Sequence, residues 1–119
     1  MQYLAVFIGG GIGSLVRFAV SKFGQQLIPN FPISTLISNA LSSLILGYIL
    51  TSLSLKSGND IYKYIIVVGF CGGFSTFSTF SFETYTLINQ GEYLLGLTNI
   101  ALNLLICIGF IATGIFLSK

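Results

Sequence analysis

"FCGGFSTFSTFSFE", residues 70–83, decides how this chain is built. Two adjacent glycines interrupt an apolar run. Phe, Ser and Thr then recur every three residues, and Glu83 closes the stretch. On a helix Phe74, Phe77 and Phe80 form one slowly turning ridge, Ser75, Ser78 and Ser81 a second, and Thr76 and Thr79 a third. Counting from Gly73 at 1.5 Å per residue, Phe77 lies about 6 Å along, Phe80 about 10 Å and Glu83 about 15 Å. A phenyl ring has a negative face and a positive edge. Ring edges attract an anion weakly, and hydroxyls donate hydrogen bonds to it. Such sites suit an ion that must both enter and leave. The other reading is aromatic packing, with the hydroxyls bonded back to the preceding turn. The residues alone leave both open.

The surroundings of this stretch place it in a bilayer. The chain has 119 residues, 54% hydrophobic and 7% charged, against roughly 25% charge in soluble domains. Five basic and three acidic residues cannot cover a water-facing surface, so the class is all-α integral membrane. Histidine and tryptophan are absent, which removes imidazole chemistry, and a net charge of +2 is too small to suggest nucleic acid. Cys71 and Cys107 sit in apolar runs with no disulfide or zinc spacing.

Turn residues and charges divide 1–119 into one domain of four spans, roughly 3–27, 33–55, 61–90 and 93–118. Pro29 and Pro32 mark the first turn and "KSGND" (56–60) the second. The first span has no basic n-region and no Ala-x-Ala site, so it reads as a membrane helix rather than a signal peptide. The third is too long. Thirty helical residues reach about 45 Å, whereas the hydrocarbon core is about 30 Å thick. A break at Gly72-Gly73 resolves this if the freed backbone groups are satisfied by protein or by an ion. A tightly packed glycine pair in a continuous helix is the alternative.

With four spans, Lys56, Lys63 and Lys119 share one side of the membrane and Arg17 and Lys22 the other, three against two. So small an excess hardly selects an orientation, which points to copies inserted both ways and paired antiparallel. Small-xxx-small pairs at Gly9 and Gly13, Gly10 and Ser14, and Gly69 and Gly73 allow close helix approach, within a protomer or between protomers.

The intramembrane polar residues are the remaining candidates. Arg17 lies about 21 Å along the first span from Tyr3. It either anchors at an interface or draws anions to a vestibule. Asn39 is deeper and is either interhelical glue or a donor to a permeating species. Asn99 and Asn103, four apart, share one helix face, and Ser38, Ser42 and Ser43 add a second polar strip. "GGGIGS" (9–14) is not a dinucleotide loop, because no strand precedes it and Ser14 stands at the third glycine. No enzyme motif is present. Asp60 and Glu92 lie in loops and Glu83 near an interface, so no deep carboxylate is available to couple transport to protons.

Three motifs, in order, resemble the Fluc (CrcB) fluoride channel family. They are "GGGIGSLVRF" (9–18), "PISTLISN" (32–39) and "GFCGGFSTFSTFS" (69–81). The resemblance implies an antiparallel dual-topology homodimer in the cell inner (plasma) membrane, with two fluoride pores that passively export cytoplasmic fluoride and confer resistance to it. It also implies a structural Na+ at the dimer centre, held by the backbone carbonyls of Gly72 and Ser75. By motif position the pore residues are Asn39, Phe77, Thr79, Phe80 and Asn103, with Arg17 and Glu83 at the vestibule. Ser75 stands where the family usually has Thr, Ser34 where it has Gly, and Phe18 where it has Tyr. Asn99 and Asn103 stand near positions where it often has Tyr and Ser. Two alternatives remain. A small multidrug-type transporter needs an acidic residue that span one lacks, and a non-conducting membrane assembly subunit would need neither the rings nor the amides.

Overall fold

A computed structural model of the chain describes residues 1–54 and 60–119. Lys56 and most of the 56–60 loop, with the last residue of the second expected span, lie outside the described residues. Among those described, four helical segments are long and apolar enough to cross a membrane: Gln2–Gly24, Ile33–Leu53, Lys63–Asn89 and Tyr93–Leu117. The chain is therefore a multi-pass membrane protein. We label the helices α1 (Gln2–Gly24), α2 (Ile33–Ser54), α4 (Phe77–Asn89) and α5 (Tyr93–Leu117). The label α3 denotes the π-helical segment Lys63–Cys71 together with the α-helical turn Gly72–Phe74 that continues it.

Two packed pairs make the body. Helix α1 lies along α3 and α2 along α5, while α4 leans mainly on α5. Each pair closes on a glycine seam. A Cβ at Gly9 would strike the Ile65 carbonyl, and one at Gly13 the Phe70 carbonyl. A Cβ at Gly73 would come within 2.5 Å of the Gly10 carbonyl oxygen. Gly47 and Gly114 play the same part between α2 and α5, against Ile111 and Leu44. The small residues read from the sequence at Gly9, Gly13, Gly69 and Gly73 therefore serve packing inside the protomer.

Polar side chains share the interior with apolar ones such as Leu36, Phe74 and Leu87, and the exterior carries large apolar side chains. Thr35, Ser38, Ser42, Thr84, Asn99 and Asn103 are buried, whereas Phe7, Leu15, Leu94, Leu105 and Phe116 are exposed. This is the distribution expected where lipid replaces water as solvent. Two turns fix the helix order. Asn30 takes the left-handed conformation (φ 67°) in the segment between α1 and α2, a region that asparagine tolerates better than most residues. Gly91 (φ 83°) ends α4. There the Glu92 N–H donates to the Leu87 carbonyl (2.8 Å) and the Gly91 N–H to that of Ile88 (3.0 Å), the paired bonds of a Schellman cap.

The third span departs from the expectation. Gly72 and Gly73 are helical, with Gly72 at φ −64°, ψ −35°. The extended residues are Ser75 (φ −82°, ψ 156°) and Thr76 (φ −151°, ψ 121°). The expected interruption at Gly72-Gly73 is thus corrected to a step three residues later, at Ser75-Thr76. The physical reason lies in side-chain chemistry. Gly73 is used for contact with α1, whereas the Thr76 hydroxyl accepts the Thr79 N–H (3.2 Å) and so caps α4.

The seam gives a direct test. Gly13→Ala should cost about 1–3 kcal/mol through overpacking, because its Cβ meets both the Phe70 carbonyl and the Phe74 nitrogen. Gly11 has nothing within 4 Å, so Gly11→Ala should stay within about 0.5 kcal/mol of wild type. Thermal unfolding in detergent reads both. Equal melting temperatures for the two variants would rule out the seam.

Candidate ion pathway

The Ser75–Thr76 step requires local compensation, because an extended residue inside a membrane helix loses its ladder bonds. Asn39, projecting from α2, supplies it. Its Oδ1 accepts the Thr76 N–H at 2.8 Å, and its Nδ2 donates to the Asn103 Oδ1 at 3.1 Å and to the Thr76 carbonyl at 3.4 Å. The backbone N–H leaves the amide one orientation, since a second donor there would face it unpaired. On the other side of the step the Cys71 carbonyl accepts the Ser42 hydroxyl (3.0 Å), the Ser75 hydroxyl (2.8 Å) and the Ser75 N–H (3.0 Å).

Two clefts flank the step, and Thr76 lines both. The first encloses about 230 Å³ and brings together Asn39, Phe77, Phe80 and Asn103, with Ser43, Ser75 and Cys107. The two rings stand 5.7 Å apart at 46°, tilted rather than stacked. Phe77 is 79% exposed in the single chain, so this cleft lacks an outer wall of its own. The second encloses about 300 Å³ and holds Arg17, Thr79 and Glu83 among hydroxyl and amide side chains. Arg17 and Glu83 share this cleft without being each other's hydrogen-bond partner. The Arg17 Nε–H donates to the Gly73 carbonyl at 3.0 Å, and Thr35 Oγ1 donates to Glu83 Oε1 at 2.6 Å. Glu83 Oε2 is buried and has no partner.

The chain is similar to known proteins along nearly its whole length. The family model described as CrcB-like protein, Camphor Resistance (CrcB), matches residues 4–115. The fluoride-specific ion channel FluC of Pyrococcus horikoshii is 44% identical, over 96% of this chain and 93% of the relative. A protein of the same name from a Hydrogenobaculum species is 41% identical, over 98% and 97%. The chain belongs to the CrcB family.

Among the residues that CrcB resemblance singled out, four of the five pore candidates meet in the first cleft. Thr79 does not. It faces the second cleft, with the two vestibule candidates Arg17 and Glu83. Asn103 reaches the first cleft but is only 6% exposed, and its Nδ2 donates to both the Asn99 carbonyl (2.9 Å) and Asn99 Oδ1 (3.0 Å). Gly72 is exposed, with nothing within 4 Å of where a Cβ would stand. The sequence reading put Thr76 on a ridge with Thr79 but did not name it as a site residue, whereas it caps α4 and walls both clefts. Its signal was available: a threonine three residues ahead of Thr79, at the start of a helical repeat.

If Asn39 serves as glue, it should couple energetically to Asn103. Asn39→Ala and Asn103→Ala in a double-mutant cycle should show an interaction of about 0.6–1.7 kcal/mol, the range of interhelical side-chain bonds in membranes. Thermal unfolding of the four proteins measures it, and strict additivity would remove the bond from the account.

Proposed function

We propose that this chain is a passive, fluoride-selective channel that exports cytoplasmic fluoride across the cell inner (plasma) membrane. The observation that carries the reading is the first cleft, where tilted Phe77 and Phe80 rings meet the Asn39 and Asn103 amides. It occurs in a CrcB chain whose relatives are named fluoride-specific ion channels. Anion conduction without coupling also suits a span α1 that contains no acidic residue, the position on which a small multidrug-type transporter would depend.

The finer reading is an antiparallel dual-topology homodimer with two pores. Three features support it. The ring cleft is open on one side, with Phe77 79% exposed, and a second copy could supply the missing wall. The outer helix surfaces carry large exposed apolar side chains. The Lys and Arg tally of three against two gives little preference for one orientation.

A structural Na+ at the centre of that dimer fits the donor set. In a continuous α-helix the Gly72 carbonyl would accept the Thr76 N–H and the Ser75 carbonyl the Thr79 N–H. The first of these donors goes to Asn39 Oδ1 and the second to Thr76 Oγ1. Among the described residues no group of three His, Cys, Asp or Glu side chains could hold a metal, so backbone oxygens are the natural ligands for a hard cation. Two carbonyls from each of two copies would share the ion. When bound, it would supply positive charge and an oxygen-mediated link between the protomers.

Purified protein reconstituted in liposomes tests the function. Electrodes should record fluoride efflux with chloride retained, and equal loss of both anions would overturn the assignment. Phe80→Ile keeps apolar bulk but removes the ring edge. It should lower fluoride efflux by at least about ten-fold, roughly 1.4 kcal/mol at the barrier, while the protein elutes as wild type. Wild-type efflux from that variant would return the rings to a packing role.

A further inference from the structure

One hydrogen-bond chain runs in a single direction through three helices and closes on itself. The Thr76 N–H donates to Asn39 (2.8 Å), and Asn39 donates to Asn103 (3.1 Å). Asn103 donates to Asn99 Oδ1 (3.0 Å), Asn99 to Thr84 Oγ1 (2.9 Å), and Thr84 to the Phe80 carbonyl (2.8 Å). Both ends lie on the same short stretch, residues 76–80. That stretch is the first turn of α4 and carries Phe77, Thr79 and Phe80. Each link fixes the next. The Thr84 hydroxyl spends its one proton on the Phe80 carbonyl, so its oxygen can only accept from Asn99. Asn99 must then turn Oδ1 toward Asn103, whose own Oδ1 is left for Asn39.

We propose that Asn99 and Thr84 are positioning residues of the ion pathway: through Asn103 and Asn39 they clamp the first turn of α4 and hold the Phe77–Phe80 ring pair at its tilt. Neither touches the cleft. Asn99 is fully buried and Thr84 is 7% exposed, and neither lines the ring cleft. A lone interhelical asparagine would suffice as glue, but it would not explain five successive donors aligned head to tail. Positional error of a fraction of an ångström at a reacting or binding group is costly, and the clamp removes that freedom from the rings without placing a charge beside them. The role of the rings in fluoride passage rests on the function proposed above, whereas the clamp itself does not.

The test therefore has two readouts. A 4-fluorophenylalanine placed at position 80 reports ring position by fluorine NMR in detergent, and liposome efflux reports conduction. Wild type and Thr84→Ser, which keeps the hydroxyl, should give one narrow ring resonance and similar efflux. Thr84→Val, nearly the same shape without the hydroxyl, should split or broaden the resonance. It should also cut fluoride efflux by about ten-fold, as expected from lost orientation. Asn99→Leu, of similar size, loses both the acceptor for Asn103 and the donor to Thr84. It should perturb the ring in the same way, and it decides the matter if Thr84→Val does not fold. A sharp, unshifted resonance in a folded Thr84→Val or Asn99→Leu overturns the clamp, as does equal loss in Thr84→Ser and Thr84→Val. Absence of fluoride efflux in wild type overturns the proposed function instead, and the ring resonance still judges the clamp.

Discussion

A lipid bilayer offers no hydrogen bonds, so an irregular backbone step inside it exists only where side chains complete it. The Asn39–Thr76 bond is that completion here. An unmade bond of this kind costs about 1–3 kcal/mol, comparable to a whole buried side-chain contact. Asn39 must therefore sit level with residue 76, which fixes the register of α2 against the third span. Asn103 must stand opposite Asn39, which fixes α5. With α2 and α5 set, the glycine seam at Gly47 and Gly114 follows, and α4 starts at a determined height.

The same constraint explains why polar side chains are buried while large apolar ones face outward. Burying Leu against Leu provides little drive when lipid is equally apolar. Close backbone contact at Gly9, Gly13 and Gly73 and hydrogen bonds among Ser, Thr and Asn are what remain. The Cys71 carbonyl shows the economy of the arrangement: two serine hydroxyls and one backbone N–H converge on it just before the step. Serine 75 thereby bonds within its own segment. Its hydroxyl is not displayed along a ridge, as a regular helix through residues 74–81 would have had it.

Much of this was legible in the sequence. Composition specified a membrane protein, and length with turn residues specified four helices, the first expected at 3–27 and found at Gln2–Gly24. The i, i+4 spacing of Asn99 and Asn103 put them on one face, and they are bonded to each other. The position of the step was not legible. Gly72-Gly73 looked like a breaker because glycine is a poor helix former in water. In the folded chain Gly73 instead makes room for α1, and a threonine that can cap the next helix sets the step. Nor could spacing reveal that Thr84, fifteen residues before Asn99, would accept its amide proton, since that contact needs the Gly91 turn to fold α4 back on α5. Thr79 was grouped with the rings by motif position. The step rotates the register, and Thr79 turns toward Arg17 and Glu83.

Charge alone cannot separate fluoride from chloride, because both carry one negative charge. Discrimination must come from the size of the site and the number and placement of its donors. Arg17 and Glu83, side chains of opposite formal charge, line the second cleft together. Arg17 is further tied by Nε to the Gly73 carbonyl. The ring cleft contains no charged side chain at all. Its amides are also largely committed: the two Nδ2 hydrogens of Asn39 face Asn103 and the Thr76 carbonyl, and those of Asn103 face Asn99. The hydroxyl protons of Ser43, Ser75 and Thr76 are committed as well, to the Asn39 carbonyl, the Cys71 carbonyl and Thr79 Oγ1, so on the proposed reading the ring edges become the principal partially positive groups turned toward an ion. Such groups bind weakly and act only over contact distances. An anion therefore gains from them only if it fits closely enough to touch several at once, which makes ring position, rather than net charge, the quantity that the buried amides have to control.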